Sequence, residues 1–384
     1  MKFQITNYEK RYDSQLLDLF YNYVFNEREE FEYSRPKSWI YRYDSFDSSI
    51  IKIAKFDNEL VGTFGIIPTT ASVNGKILKG GYFVDNCVLP AYLHKFEDIM
   101  SELIKASIEE AIEKNFKFII GWDYLKNYKK YCDLYSKLGF ISHSDINWYA
   151  GGFEYKKDSP SSWRGKGKLY WKTLFHFLTF YNKYKMKSHP KKVDGVIVEF
   201  ACRDELDKIA DFINKNHPAK SFHCHYKHGD LRKMWDSQGI RCLIAKKQDE
   251  LVGVITFFVS TWTGLMYGKP TNGSWEEFNT IVPDEFVILK NSINTDLPIV
   301  MIRYLLDFDK KFDINSNTHG FVSALFDRKI EWKRNAYKKW GFVEAKVDYG
   351  IYLVKSLNGF KINNDGKWSI PPRAIVAPYP KWID

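Results

Sequence analysis

The sequence predicts a mixed α/β (α+β) protein made of two similar domains, each a mostly antiparallel sheet flanked by helices. Chain length, composition and an internal repeat support this prediction. At 384 residues the chain is longer than one hydrophobic core usually serves. A hydrophobic fraction of 45% and an aromatic fraction of 17% provide material for two cores. The charged fraction of 27% is ordinary for a folded protein, so wholesale disorder is excluded.

Composition shifts divide the chain into four segments. We expect a first domain over 1–157, a linker with an aromatic helix over 158–193, a second domain over 194–357 and an extended tail over 358–384. Both ends of the linker have the Ser, Pro, Gly and Lys composition of loops. Several prolines in the tail favour an extended strap on the surface.

A hairpin pattern occurs once in each predicted domain. The stretch Ile53-Ala-Lys-Phe-Asp-Asn-Glu-Leu-Val-Gly62 returns as Ile244-Ala-Lys-Lys-Gln-Asp-Glu-Leu-Val-Gly253. Each copy reads as a strand, a polar turn and a second strand, which predicts a hairpin with a loop of about three to five residues. The repetition indicates two copies of one fold.

A helix-stop pattern follows later in each domain, in the same order. Tyr135-Ser-Lys-Leu-Gly-Phe140 corresponds to Tyr337-Lys-Lys-Trp-Gly-Phe342. Each Tyr ends an amphipathic helical pattern, and the Gly favours a helix end because it adopts the left-handed cap conformation without strain. A strand is expected to begin at each Phe.

The centre of the linker, residues 169–181, is an aromatic stretch with lysines on both sides. One interpretation is a helix packed between the domains, which is favoured because the aromatic residues occur nearly all round the predicted helix. The alternative is a helix lying on a membrane surface, because aromatic side chains with basic flanks suit the headgroup region.

Charge and cysteine content limit the expected partners and compartment. Lys plus Arg exceed Asp plus Glu by 57 to 47, and the net charge of +10 favours anionic partners such as nucleotides, CoA or a phospholipid surface. Five cysteines without paired spacing do not predict a disulfide framework. No signal peptide or membrane-spanning stretch is recognisable, so we expect a cytoplasmic protein.

The order of elements in the first domain resembles the GNAT acetyltransferase superfamily. Gly80-Gly-Tyr-Phe-Val-Asp-Asn-Cys-Val-Leu-Pro90 looks like the family's fourth strand, residues 94–114 like the following long helix, and Phe116-Lys-Phe-Ile-Ile-Gly-Trp122 like the fifth strand. The resemblance implies two GNAT domains in tandem. It also implies that the fourth and fifth strands splay apart and bind the pantetheine arm of acyl-CoA through backbone groups.

The resemblance further implies an acyl-CoA site in the first domain. In the family, backbone N–H groups at the start of the long helix hold the pyrophosphate. A Tyr on the next helix protonates the departing thiolate, and Tyr135 takes that position, as Tyr337 does in the second domain. The expected cofactor-binding residues are Cys87, Val88, Leu89, His94, Lys95, Phe96 and Asn127.

The pyrophosphate loop departs from the family pattern. The family has glycines there, whereas this chain has Leu93-His-Lys-Phe-Glu-Asp98. Either His94 and Lys95 provide the charge, or this domain no longer binds CoA. The corresponding segment of the second domain, 294–300, has neither glycine nor a basic residue. We therefore expect catalysis in the first domain and substrate contacts, including Tyr337, from the second.

Acyl transfer to an amine needs a group that removes a proton from the nucleophile. Asp85, on the predicted fourth strand, and Asp123, just after the fifth, are the catalytic candidates by position, and His94 is a third choice. His223 and His225 are assigned to substrate contact. Their spacing matches no standard zinc site, so no metal is expected.

The resulting hypothesis is an N-acetyltransferase that moves an acetyl or similar acyl group from acetyl-CoA or another acyl-CoA to a primary amine. An amino sugar or sugar nucleotide is the favoured acceptor. Two alternatives stay open: a catalytically inactive tandem binding module, which the missing glycines favour, and a tRNA-dependent aminoacyltransferase of the Fem type. No nucleic-acid-binding motif accompanies the basic residues, so nucleic acid is not an expected partner.

Overall fold

The structure of the chain is a computed structural model. It describes residues 3–22, 32–33, 48–154, 162–163, 166–167, 173, 177, 180–181, 184–217, 222–265, 275–307, 319–327, 329–344, 350–362 and 368–369. Most of the predicted linker helix and most of the predicted tail lie outside these residues.

Strands make up much of the described chain. Those of its first part are β1 (Gln4–Asn7), β2 (Glu32–Tyr33), β3 (Ile50–Phe56), β4 (Glu59–Val73), β5 (Lys76–Val88), β6 (Phe118–Tyr124), β7 (Ile141–Glu154), β8 (Ser162–Trp163) and β9 (Lys166–Gly167). The later strands are β10 (Val196–Phe200), β11 (Phe222–Cys224), β12 (Arg241–Lys247), β13 (Glu250–Leu265), β14 (Trp275–Ile288), β15 (His319–Asp327), β16 (Val343–Glu344), β17 (Gly350–Ser356) and β18 (Trp368–Ser369).

Helices connect the strands in the order that the sequence predicts. Among the described residues they are α1 (Asp13–Asn22), α2 (Phe96–Glu113), α3 (Leu125–Lys137), α4 (Leu206–Asn216), α5 (Asp230–Gln238), α6 (Leu297–Leu306) and α7 (Glu331–Lys339). A 3-10 turn over Pro90–Lys95 leads into α2. In each half, one helix follows the strand that corresponds to the family's fourth strand (β5 and β14), and a second helix follows the strand that corresponds to the fifth (β6 and β15).

The described strands of both halves form one sheet whose main path is β1-β3-β4-β5-β6-β17-β7-β15-β14-β13-β12-β10, and the short strands β2, β11, β16 and β18 pair beside this path. The predicted mixed, mostly antiparallel architecture is confirmed, but the two sheets are joined edge to edge. Strand β17, from the end of the chain, lies between β6 and β7, and β7 pairs with β15 of the second half. This exchange pairs edges that would otherwise present open backbone groups.

The repeated hairpin is tighter than predicted. Strands β3 and β4 are joined by Asp57-Asn58, and β12 and β13 by Gln248-Asp249, with positive φ at all four residues. Two residues of this conformation match the twist of the strands, so the expected loop of three to five residues is wrong. In both copies the register shifts at the same place, after Ala54 and after Ala245.

The predicted helix stops are present in both halves. Helix α3 is followed by Gly139 with φ of 76°, and α7 by Gly341 with φ of 81°. In each case the next Phe donates its backbone N–H to the carbonyl of the Tyr, Tyr135 at 2.9 Å and Tyr337 at 3.1 Å. This closes the helix end and starts the following strand.

Three hydrophobic cores hold the described elements together. One packs α2 and α3 against the first-half strands, and another packs α6 and α7 against the second-half strands. The central core takes residues from both halves, including α1, α4 and α5. Helices α2 and α6 each pack on their sheet at a glycine. An added Cβ would lie 3.0 Å from Ile99 of α2 at Gly62 and 2.7 Å from Met301 of α6 at Gly253.

Candidate active site

Strands β5 and β6 separate soon after they meet. Their ladder places Gly81 opposite Ile119 and Tyr82 opposite Ile120, whereas β5 continues to Val88 and β6 to Tyr124. Along their outer edges the two strands pair with β4 and β17. The first half therefore has the divergence that the resemblance implies, between the fourth and fifth strands of its sheet.

A bulge in β5 places two polar residues at this divergence. The register shift between Thr63 and Gly65 leaves Asp85 and Asn86 opposite the single residue Phe64. Asp85 is buried and has a φ of 55°, a left-handed conformation that is costly for a residue with a Cβ. Such bulges redirect side chains next to functional sites.

Tyr135 lies against the same divergence from helix α3. Its side chain is buried, and its hydroxyl accepts a hydrogen bond from Nδ2 of Asn86 at 3.4 Å. The Tyr135 ring stacks on Phe83 with 6.4 Å between centroids. The Phe83 ring also covers Gly121 of β6, where an added Cβ would lie 2.1 Å away. Tight packing thus fixes the tyrosine while its hydroxyl keeps a polar partner.

The remaining residues predicted on β5 fill the core. Cys87 and Val88 are fully buried, Cys87 in the central core and Val88 in the core of α2 and α3. The N–H of Leu89 donates to the carbonyl of Val61 at 2.8 Å, and Leu289 makes the equivalent bond in the second half. Any contact of these residues with a cofactor would therefore use the backbone.

The start of α2 is less suited to an anion than the resemblance implies. His94 is exposed, Lys95 is half-buried and Phe96 is buried. The first turn carries Glu97 and Asp98, which oppose a phosphate at a helix N-terminus. The side chains of two further candidates, Asp123 and Asn127, lie outside the described residues.

The second half repeats the diverging strands. Strands β14 and β15 pair from Phe278 opposite His319 to Ile281 opposite Val322, and both continue beyond that point. Tyr337 of α7 is buried between the rings of Phe326 and Phe342, as Tyr135 is in α3. Burial raises the pKa of Tyr337, so its hydroxyl stays protonated at neutral pH.

A cavity of about 510 Å³ opens between the start of α6 and helix α7. This size is within the range of small-molecule sites. The first turn of α6 has no acidic residue, although Asp296 precedes it. The cavity is lined by Ile293, Asn294, Thr295, Pro298, Ile299, Trp332, Asn335, Ala336, Lys338 and Lys339.

A buried polar cluster lies where β14 and β15 diverge. Glu285 is 1% exposed, and its Oε2 is 3.2 Å from Nε2 of His217. The hydroxyl of Tyr226 lies 3.3 Å from both Oε1 of Glu285 and Oδ2 of Asp284. The N–H of Glu285 donates to Oγ1 of Thr256 at 3.0 Å. Charged groups are rarely buried unless they are hydrogen-bonded in this way, and such clusters often have a functional role.

The predicted substrate-contact histidines lie beside this cluster. His223 is buried, and its ring stacks on His217 with 4.3 Å between centroids. Its neighbour Cys224 is 4.0 Å from the Tyr82 hydroxyl, at the start of the first divergence. The backbone N–H of His225 donates to the carbonyl of Thr70. Burial lowers the pKa of the His225 side chain, so its imidazole is neutral at pH 7. The segment therefore connects the two halves.

Sequence reasoning missed Glu285 and Tyr226. A signal for Glu285 was present, because it precedes Leu289 by four residues as Asp85 precedes Leu89. No local signal marks Tyr226, which lies 59 residues from Glu285 along the chain, and none joins His217 to Glu285, since these two are 68 residues apart. Only the packing of the α4–α5 segment on β14 brings them together.

The part of the chain that the structure describes has no group of three His, Cys, Asp or Glu side chains placed to hold a metal ion. None of its helices combines the length and apolar character needed to cross a bilayer. Among the described residues, no two of the five cysteines form a disulfide bond.

Comparison with known proteins agrees with this geometry. Residues 5–140 match the sequence family described as acetyltransferase (GNAT) domain. Among curated proteins, no sequence matches significantly. In structure the chain is similar to Saccharomyces cerevisiae N-myristoyltransferase with bound myristoyl-CoA, with a TM-score of 0.60 and 11% identity over 96% of this chain and 84% of that chain.

Two further structures have a similar fold. One is a tandem GNAT protein from the clavulanic acid biosynthesis pathway, with a TM-score of 0.58 and 9% identity over 94% of this chain and 100% of that chain. The other is a probable N-acyltransferase from Enterococcus faecalis V583, with a TM-score of 0.51 and 11% identity over 93% and 72%. Residues 5–140 are therefore a GNAT domain, and the chain as a whole has the fold of tandem GNAT proteins.

Proposed function

We propose that the protein is an N-acyltransferase that moves an acetyl or similar acyl group from acyl-CoA to a primary amine. The observation that carries this proposal is the divergence of β5 and β6 with Asn86 and Tyr135 beside it. The match of residues 5–140 to the GNAT domain supports it. So does similarity to a structure that holds myristoyl-CoA.

In the proposed reaction the amine nitrogen attacks the thioester carbonyl, so a C–N bond forms and the C–S bond breaks. A base takes the proton that the amine loses, and Asp85 and Asp123 are our candidates for it. Tyr135 gives its hydroxyl proton to the thiolate of CoA, and Asn86 holds that hydroxyl in place. Residues 1–157 are the proposed catalytic half.

The proposed acceptor is an amine of an amino sugar or sugar nucleotide, because the net charge of +10 favours an anionic substrate. The second half, residues 194–357, would contact this acceptor through His223, His225 and Tyr337. The buried cluster of Glu285, His217 and Tyr226 supports that division, because it lies beside the segment that reaches from the second half to Tyr82.

The second half is the competing location for acyl-CoA. Its support is the cavity at the start of α6, which occupies the position where the resemblance places the pyrophosphate. The variants Lys95→Glu and Lys339→Glu separate the two locations. We expect Lys95→Glu to weaken CoA binding and Lys339→Glu to leave it unchanged, as measured by calorimetry. The reverse result would move the cofactor to the second half without removing the acyltransferase function.

Thermal unfolding with and without acetyl-CoA or myristoyl-CoA tests the function itself. A ligand that binds only the folded state stabilises it by about 2.7 kcal/mol at a hundredfold excess over its Kd, so the midpoint must rise. The acyl chain that gives the larger rise indicates the donor. Thiol release with a panel of amino sugars, sugar nucleotides, amino acids and peptides then identifies the acceptor.

No shift with any acyl-CoA would favour the inactive binding module. Salt-sensitive binding of aminoacyl-tRNA, together with no CoA binding, would favour the Fem-type aminoacyltransferase. Each of these results contradicts the proposal, because an acyl-CoA-dependent enzyme must bind its donor.

A further inference from the structure

The segment between the two halves has an unusual charge distribution. From Asp158 to Asp194 the intervening residues include one Arg and eight Lys, but neither Asp nor Glu. The described residues near its end, Lys187, Lys191 and Lys192, are exposed. A stretch of this length with nine basic residues and no acidic one favours anionic partners by its net charge.

Part of this segment is helical and exposes aromatic side chains. Residues 173, 177, 180–181 and 184–188 are in helical conformation. Phe177 is 61% exposed, Phe180 70% and Tyr184 59%. Their spacing of three and four residues places them on one face of the helix, and Lys187 continues the same face three residues later. We call Phe177, Phe180 and Tyr184 the aromatic stripe.

A neighbouring face of the helix is fixed to the second half, and its Tyr181 ring also stacks on Phe177 with 6.3 Å between centroids. The ring of Tyr181 lies against Gly341, where an added Cβ would be 2.7 Å away. Lys185 and His189 both contact the carbonyl of Lys339, at 3.3 Å and 2.9 Å. Because Tyr181, Lys185 and His189 are four residues apart, they form a docking face. The aromatic stripe is therefore exposed on a helix that is held in place by the second half.

We propose that the aromatic stripe binds the surface of an anionic lipid bilayer. Exposed phenylalanine side chains lose contact with water when they enter the boundary between headgroups and acyl chains, and the flanking lysines interact with anionic headgroups. Nucleic acid fits less well, because phenylalanines on a convex helix face do not form a stacking platform for successive bases. A second copy of this chain fits less well because it would carry the same positive charge.

Vesicle cosedimentation of the full chain tests this proposal. We expect it to pellet with vesicles of phosphatidylglycerol and phosphatidylcholine, and to bind pure phosphatidylcholine more weakly. The variant Phe177→Ser/Phe180→Ser should bind the anionic vesicles at least about tenfold less well, because the two apolar side chains that would enter the bilayer are lost. Ile77→Ser/Ile197→Ser is the matched control, since these isoleucines are 59% and 64% exposed elsewhere on the surface. The control should bind as the native chain does.

Folding of each variant is checked by its thermal midpoint, which should equal that of the native chain because all four side chains are exposed. The proposal is overturned if the native chain stays in the supernatant with anionic vesicles, or if the aromatic variant binds them as well as the control. Two other results would assign the stripe to a different partner if the native chain does not bind vesicles. These are salt-sensitive RNA binding and a dimer in solution, provided that the aromatic variant loses that binding or that dimer.

Discussion

Tyr135 combines a tightly packed ring with a hydrogen-bonded hydroxyl. The ring packs against Phe83 and Phe140, and the hydroxyl accepts a hydrogen bond from the side-chain amide of Asn86. Its counterpart Tyr337 has similar packing in the second half. The pair offers an internal comparison, because the same substitution at both positions removes only an oxygen from a buried ring.

The substitution Tyr135→Phe should lower kcat about 100-fold, because a positioned acid that protonates a leaving group contributes on this scale. The affinity for acyl-CoA should stay the same, since the ring and the diverging strands are kept. Steady-state thiol release and calorimetry measure the two quantities. Tyr337→Phe, at a proposed acceptor contact, should keep the native kcat and raise the KM for the acceptor. A Tyr135→Phe enzyme with native kcat would remove this hydroxyl from the mechanism.

In the buried cluster around Glu285, single side chains are expected to contribute measurably to the stability of the fold. Truncation to alanine leaves the hydrogen-bonding groups of His217 and Tyr226 without this partner in a buried site. We expect Glu285→Ala to lower the free energy of unfolding by about 3 kcal/mol, the scale for breaking a buried polar pair. Urea denaturation measures this loss.

The coupling between these residues provides the control. The double variant Glu285→Ala/His217→Ala should lose less than the sum of the single variants, because the two side chains interact. Asp236→Ala, which removes an exposed ion pair with Arg203, should leave stability close to that of the native chain. Additive losses at Glu285 and His217 would show that their contact contributes nothing.

At the scale of elements, the start of the first divergence depends on a close fit between β5 and β6. Gly121 has no side chain, and the Phe83 ring occupies the space where one would be. The rings of Phe64, Tyr135 and Phe140 surround Phe83, so it has no free space into which to move. The Phe83 ring of β5 therefore occupies the space over Gly121 of β6 at the point where the two strands begin to separate.

The substitution Gly121→Ala should therefore destabilise the fold by about 2 kcal/mol, as is usual when an extra methyl is forced into a packed core. Urea denaturation tests this expectation. The double variant Gly121→Ala/Phe83→Leu should recover part of the loss, because the smaller side chain makes room for the methyl group. If Gly121→Ala alone is as stable as the native chain, Phe83 is not held as the structure shows.

At the scale of the whole molecule, the exchange of β7 and β17 makes each half depend on the other. Strand β17 pairs with β6 along its whole length and also with β7. Strand β7 in turn pairs with β15. The central core also takes residues from both halves. Neither half can complete its sheet alone.

We therefore expect the chain to unfold in one cooperative transition, with coincident urea curves by tryptophan fluorescence and far-UV circular dichroism. A fragment of residues 1–157 should not fold by itself, because the place of β17 beside β6 would be open. Coexpression with a fragment of residues 158–384 should restore a folded complex on size exclusion. Two separated transitions, or a stable folded 1–157 fragment, would contradict this prediction.

The sequence alone determined the features that depend on neighbouring residues. The duplicated hairpins, the glycine helix stops and the order of strands and helices were all predictable, because turn conformation and helix capping are set locally. The same patterns led to Tyr135 and to the strand that carries Asp85. The hairpin loop length was wrong, because the pattern did not show that Asp, Asn and Gln would adopt left-handed conformations.

Only the tertiary structure decided which distant residues meet. It placed β17 inside the sheet of the first half and brought together Glu285, His217 and Tyr226 from three separate parts of the chain. It also showed which face of the linker helix is docked and which is exposed. These features depend on strand edges and buried polar side chains that are far apart in the chain and form hydrogen bonds with one another. No local sequence pattern specifies which of them will pair.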